Sequence, residues 1–363
     1  MERFGFVLHP ISYSDISRKF GRMTKVLPES LVLSVMKNLP AQKVSHITGI
    51  KSQTGVEAEG WFTACPLTTE QMVSLPEDFV IKKIIAAVNL AKEQGAKIVG
   101  LGAYTSVVGD AGITIARNVD VPVTTGNTYT VATALLGLEW AAERMGTSLE
   151  ASRVGVVGAY GSIGKACARA LAGKVGELCL IGRKKSELEK LKAELDAKGN
   201  ISISTDSKTT LPTLDALVTV TSAVDTVIEP EDLKIGAIVC DVARPRDVSK
   251  KVAEVRDDVL VFEGGAVEVP GENADFHFNF GFQPKTSYAC MAETMILALE
   301  KRYECYTLGR DLDVEKVYEM MRLAEKHGFK LAGLRSFERA VTDEEIYRIR
   351  ENIAKKKLAL VKV

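Results

Sequence analysis

Nothing in the 363 residues has the spacing that a disulfide framework or a zinc site needs. The six cysteines (65, 167, 179, 240, 290 and 305) are scattered, with no CxxC pair. That usage fits reduced thiols in a cytoplasmic protein. Histidine is scarce, and the four present (9, 46, 277 and 327) lie far apart, so no metal is expected. Net charge is absent too: 47 Lys and Arg stand against 47 Asp and Glu. With no net field to concentrate polyanions, the balance argues against a general nucleic-acid or anionic-membrane binder. There is no apolar run of 18 residues, which argues against a membrane span. Met1-Glu2-Arg3-Phe4-Gly5 is not a basic stretch leading into an apolar core, and His9-Pro10 interrupts the little apolar sequence there, so no targeting signal is read. At 46% hydrophobic and 26% charged the chain is globular. Its length suits two domains of about 150 residues, or one with an appendage.

The most informative pattern begins near residue 150. Val154-Gly155-Val156-Val157 reads as a buried parallel strand, and Lys165 to Leu171 as a helix. Glu177-Leu178-Cys179-Leu180-Ile181 is a second strand, followed by a helix carrying Leu188, Leu191 and Leu195. Ile201-Ser202-Ile203-Ser204 is a candidate short third strand, and apolar runs at 216–220, 237–240 and 259–262 continue the alternation. The expectation is an α/β protein with a doubly wound, Rossmann-like parallel sheet over 151–270. An N-terminal α/β substrate domain is expected at 1–150, with a strand pattern over 43–67, a helix over 79–95, a strand over 96–102 and a long helix from Asn127 to Met145. Residues 271–363 are expected to be a C-terminal helical segment carrying Cys290, with helices near 287–303, 313–327 and 343–357.

Gly158-Ala159-Tyr160-Gly161-Ser162-Ile163-Gly164 falls between a strand and a helix, the context of a dinucleotide fingerprint. Small residues let the backbone approach a pyrophosphate, whose charge the helix N-terminus stabilises. A tight structural turn would leave the same residues. After the second strand an NAD site usually presents an acidic residue, whereas Arg183 and Lys184 stand here, favouring the extra phosphate of NADP(H) over a merely solvated helix start. Thr221 and Ser222 follow the fourth strand, where such a fold passes the nicotinamide half, although Ser and Thr are also ordinary loop residues.

Pro284-Lys285-Thr286-Ser287-Tyr288-Ala289-Cys290 supplies the second constellation. With Thr286 or Ser287 as N-cap, Cys290 sits in the first helical turn, where terminal amides and the helix dipole favour a thiolate able to accept an acyl group. Set against this is the small buried core cysteine that spacing alone favours. Cys65 is the reserve nucleophile. Thr124-Thr125-Gly126-Asn127-Thr128 opens a helix, so Thr125 and Asn127 are candidate oxyanion donors, with plain capping as the competing explanation. Phe276, Phe278, Phe280 and Phe282 alternate as one aromatic face of a strand would, lining either an acyl channel or ordinary sheet core.

Taken together, Gly102-Ala103-Tyr104-Thr105-Ser106, the Thr124–Thr130 stretch, the glycine loop, Ala289-Cys290-Met291-Ala292-Glu293, Gly309-Arg310-Asp311 and His327-Gly328-Phe329 resemble the cyanobacterial-type long-chain acyl-[acyl-carrier-protein] reductases. The resemblance implies NADPH-dependent reduction of a fatty acyl thioester to a fatty aldehyde, with acyl carrier protein or coenzyme A as the carrier and Cys290 as the acyl acceptor. Tyr160 and Ser162 depart from the family's Thr and Asp, and residues 336–363 extend past the shared region. Readings of another class stay open: an oxidoreductase like shikimate dehydrogenase or glutamyl-tRNA reductase, or a non-catalytic NADPH-binding protein.

Overall fold

A computed structural model describes residues 1–20, 27–223, 226–243, 245–337 and 339–361. It divides into two compact units. The first comprises Met1–Tyr129, Glu268–Arg310 and Glu319–Lys330; the second comprises Thr130–Val267, Asp311–Tyr318 and Leu331–Val363. Residues 271–363 therefore form no body of their own. The stretch with Cys290 belongs to the first unit and the last helix, Asp343–Val361, to the second.

The strands of the first unit are β1 (Glu2–Leu8), β2 (Gln42–Lys51), β3 (Glu57–Ala64), β4 (Val99–Leu101) and β5 (Val123–Thr124). Those of the second sheet are β6 (Arg153–Val157), β7 (Glu177–Ile181), β8 (Ile201–Ser204), β9 (Ala216–Thr219), β10 (Ile238–Asp241) and β11 (Leu260–Glu263). Five helices bear on the site: α1 (Glu77–Glu93), α2 (Asn127–Met145), α3 (Ser162–Leu171), α4 (Lys185–Leu195) and α5 (Ala289–Leu299).

In the first unit the strand order is β2-β3-β1-β4-β5, with β2 antiparallel to β3 and the other pairs parallel. The central strand β1 is buried from Phe4 to Val7, because both faces of the sheet are covered. On one face Val7, Val99 and Leu101 pack with Val80, Ile84, Val88 and Ala91 of α1. On the other, Phe6 and Gly100 meet α5, so close that a Cβ on Gly100 would lie 2.2 Å from Thr294 Oγ1. Every residue of α5 is buried except Cys290. Apart from Glu293 and Thr294 its side chains are apolar all round, as an internal helix requires.

The second unit holds a six-stranded, wholly parallel sheet, β11-β10-β9-β6-β7-β8. In order of appearance that is 6-5-4-1-2-3, the doubly wound arrangement expected from the alternating apolar runs, with its reversal between β6 and β9. Val154, Val156, Leu180, Leu217, Val218 and Val239 are buried in these strands, which accounts for their continuous rather than alternating hydrophobicity. Among the described residues no helix is long and apolar enough to cross a membrane.

Candidate active site

Cys290 is the second residue of α5 and part-exposed. The helix start near 290 is as expected, but its cap is not. Thr286–Tyr288 is a short strand and Tyr288 is the N-cap, with no side-chain bond to the helix amides. Thr286 and Ser287 are extended and buried, so neither hydroxyl caps α5. The unfilled helix N-terminus faces the sulfur instead. The nearby backbone amides of Met291, Cys290 itself and Ala103 favour the ionised sulfur. Burial, with the Glu293 charge one turn along, outweighs them and pushes the thiol up to about 12. Against the expectation of a ready-made thiolate, desolvation outweighs the helix N-terminus here and favours the protonated thiol. Of the alternatives, Cys65, Cys167, Cys179 and Cys240 are sealed in the core, and burial pushes Cys65 up to about 12.

The Thr124–Thr128 stretch lies against this helix start. Gly126, with φ of +74°, lets the chain press on α5; a Cβ there would stand 2.4 Å from both Cα and Cβ of Cys290. Glu293, fully buried, ties the two segments together. Its carboxyl accepts from Thr124 Oγ1 at 2.6 Å, Thr307 Oγ1 at 2.8 Å and the Tyr129 amide at 2.9 Å. Burial nevertheless raises its pKa. Thr125 donates its amide to the Thr307 carbonyl, while its Oγ1 is buried and makes no hydrogen bond to any described residue. Asn127 is buried at the first turn of α2. Thr125 and Asn127 thus flank the glycine that touches Cys290.

The phenylalanine segment is not a strand. His277 with φ of +47° and Gly281 with +84° turn the backbone repeatedly, and no regular element covers 276–282. The rings gather instead into a cluster. Phe280 lies 5.3 Å from Phe62 and 6.0 Å from Tyr288, and Phe282 lies 4.7 Å from Tyr288. The aromatic set therefore ends at the N-cap of α5.

In the second unit the glycine loop connects β6 to α3. Gly158 adopts φ of +83°, and its position faces the Val220 carbonyl and Thr221 amide just past β9, at the winding reversal. Gly164 packs so tightly that a Cβ would fall 2.2 Å from the Gly158 carbonyl oxygen. Gly161 is exposed and is the N-cap of α3, so no cap side chain accepts from the first-turn amides of that helix. A glycine loop opening on a helix N-terminus has the chemistry to receive a phosphate. Ala159 is buried below the loop, Ser162 and Ile163 begin the helix, and the Tyr160 ring lies over Gly182, where a Cβ would meet it at 2.5 Å. Arg183 and Lys184 follow as exposed cations. Thr221 is committed elsewhere, since its hydroxyl and amide both donate to buried Asp247, which also takes the Thr219 hydroxyl. Ser222 is exposed beside it. These residues fit a dinucleotide. The Asp247 anchor carries no signal in sequence, because an isolated aspartate 26 residues from its partner resembles any other.

Three participants escaped the sequence reading. One is Glu293, legible only as part of a resemblance. The second is Ala103, whose φ of +46° is unusual for a residue with a side chain. The third is His9, at the end of β1, whose Nε2 lies 3.0 Å from the Tyr104 amide.

Comparison with known proteins adds family context. The model of the shikimate/quinate 5-dehydrogenase family matches residues 139–263, which contain the whole parallel sheet. A protein described as aminotransferase PigE, from a Serratia strain, is 30% identical over 96% of this chain, and the chain spans 42% of that relative's length. The long-chain acyl-[acyl-carrier-protein] reductase of Synechococcus elongatus is 28% identical over 90% of this chain and 98% of its own. Among solved structures, L-tryptophan dehydrogenase from Nostoc punctiforme aligns over 98% of this chain and 88% of that one, with 13% identity and a TM-score of 0.41. The chain is a distant relative of the acyl-carrier-protein reductase, with an oxidoreductase-type fold of the nicotinamide-dependent kind.

Proposed function

We propose that the protein reduces a fatty acyl thioester, carried by acyl carrier protein or coenzyme A, to a fatty aldehyde, using NADPH and an acyl group held on Cys290. The observation that carries this reading is the placement of Cys290. It is the single residue of a buried helix left part-exposed, at an N-terminus with no side-chain cap, where nearby backbone amides favour charge on its sulfur. The nearly full-length similarity to a reductase of that substrate class supports it.

In this mechanism the Cys290 thiol loses its proton and attacks the thioester carbonyl. A new S–C bond forms, the carrier's S–C bond breaks, and the carrier thiolate takes up a proton. The amides of Cys290, Met291 and Ala103 favour the proton loss, and in this reading Thr125 and Asn127 would donate to the carbonyl oxygen as it gains charge. Gly158, Gly161 and Gly164 would hold the pyrophosphate of NADPH, and Arg183 with Lys184 its ribose phosphate. When bound, that cofactor supplies the hydride that converts the acyl group to aldehyde. Release of the aldehyde returns Cys290 as a thiolate.

Cys290→Ser tests the assignment. Aldehyde formation should vanish while NADPH binding, followed by its fluorescence, persists; unchanged turnover would remove Cys290 from the reaction.

A further inference from the structure

The turn that follows β4 is held from two sides. The Gly102 amide donates to the Val7 carbonyl at 3.1 Å, and the Tyr104 amide donates to His9 Nε2 at 3.0 Å. His9 Nδ1 lies 2.9 Å from the Pro10 carbonyl. A ring that accepts at Nε2 and faces a carbonyl at Nδ1 has one consistent form, neutral with its proton on Nδ1. Burial reinforces that form by pushing the imidazole down to about 4, although Asp15 and the carbonyls of Pro10 and Leu67 pull the other way. Between the two anchored amides lies Ala103, in the left-handed region with φ of +46°, and its amide is among the backbone groups that favour charge on the Cys290 sulfur. An alanine keeps such a backbone only where its surroundings impose it.

We propose that His9 is a positioning residue. By accepting the Tyr104 amide as the Nδ1-protonated neutral ring, it locks the Ala103 peptide in its strained conformation and so aims the Ala103 amide at the sulfur, where it stabilises negative charge. The proposal rests on the reading of Cys290 as the reacting thiol. It assigns His9 no proton transfer.

The test is alkylation of Cys290 by iodoacetamide across pH, mapped by peptide mass spectrometry, in the wild type and in His9→Phe, His9→Gln and His9→Asn. Exposed Cys305 serves as the internal control. Gln presents an oxygen near the Nε2 position, Asn reaches only the Nδ1 position, and Phe offers no acceptor. Labelling of Cys290 should slow at least tenfold in His9→Phe and His9→Asn, with Cys305 unchanged, and His9→Gln should restore most of the rate. Equal rates in all four proteins, a His9→Gln as slow as His9→Phe, or a wild type whose Cys290 never labels would each overturn the proposal. If His9→Phe fails to fold, the contrast between Gln and Asn decides alone. Because neither acyl thioester nor dinucleotide is present, this result and the test of the reductase reading can fail separately.

Discussion

Replacing Gly126 by alanine should both destabilise the first unit and displace the candidate nucleophile. Two terms add. The φ of +74° disfavours any residue with a Cβ, by roughly 1–2 kcal/mol. The new methyl would then stand 2.4 Å from Cys290 Cα and Cβ and 2.6 Å from the Cys290 carbonyl oxygen. Those atoms belong to the backbone and root of a buried helix and cannot rotate away, so overpacking adds about 1–3 kcal/mol. The sum, about 2–5 kcal/mol, is a large share of a typical domain's stability, and at about 2–4 °C per kcal/mol it corresponds to a melting shift of roughly 4–20 °C. Gly55→Ala is the control. Gly55 has φ of +85° but nothing within 4 Å of the added Cβ, so that variant carries the backbone term alone. Differential scanning calorimetry should rank wild type above Gly55→Ala above Gly126→Ala, and Cys290 labelling should change only in the last. If Gly126→Ala melts with Gly55→Ala and labels like the wild type, the packing of the Thr124–Thr128 stretch on Cys290 is refuted.

Cys290 alkylation in the wild type should rise about tenfold per pH unit from pH 7 to 9 without levelling, because its thiol is pushed up to about 12; a plateau below pH 8 would show a thiolate already formed. For His9 the folded value of about 4 lies below the ordinary 6.5, so the unfolded chain binds a proton that the native chain refuses. Its contribution to stability is complete above about pH 6.5 and is lost on acidification through pH 4, roughly 3 kcal/mol in all. His9→Gln should flatten that part of a stability–pH curve measured by urea unfolding, and an unaltered slope would contradict the assigned tautomer. The double variant Arg183→Ala, Lys184→Ala should weaken NADPH binding at least tenfold while leaving NADH within about twofold, measured by fluorescence titration; equal losses for both would deny these cations the ribose phosphate.

Much of the fold was legible because parallel strands buried on both faces leave short continuous apolar runs. β6, β7, β9, β10 and β11 carry that mark, while the edge strand β8, Ile201–Ser204, alternates instead, and the glycine loop fell between strand and helix as expected. β1 carries the same mark but was missed. Phe4-Gly5-Phe6-Val7 is so short, and so soon ended by His9-Pro10, that nothing local distinguishes the centre of a sheet from a chain end. The phenylalanine alternation misled in the opposite direction, since its period of two came from a turning segment whose rings converge on Phe62 and Tyr288. At the candidate site, Cys290 and its helix start were visible. The state of its sulfur was not, because ionisation depends on burial and on Glu293 and Ala103, whose approach only the fold creates.

Intact-mass spectrometry after mixing the protein with a fatty acyl thioester, with no dinucleotide present, addresses the central claim most directly. One acyl mass should be gained per chain, map to the peptide holding Cys290, and disappear with release of aldehyde once NADPH is added. Acylation at any other residue, or aldehyde production with no acyl-protein at any time of mixing, would contradict the account.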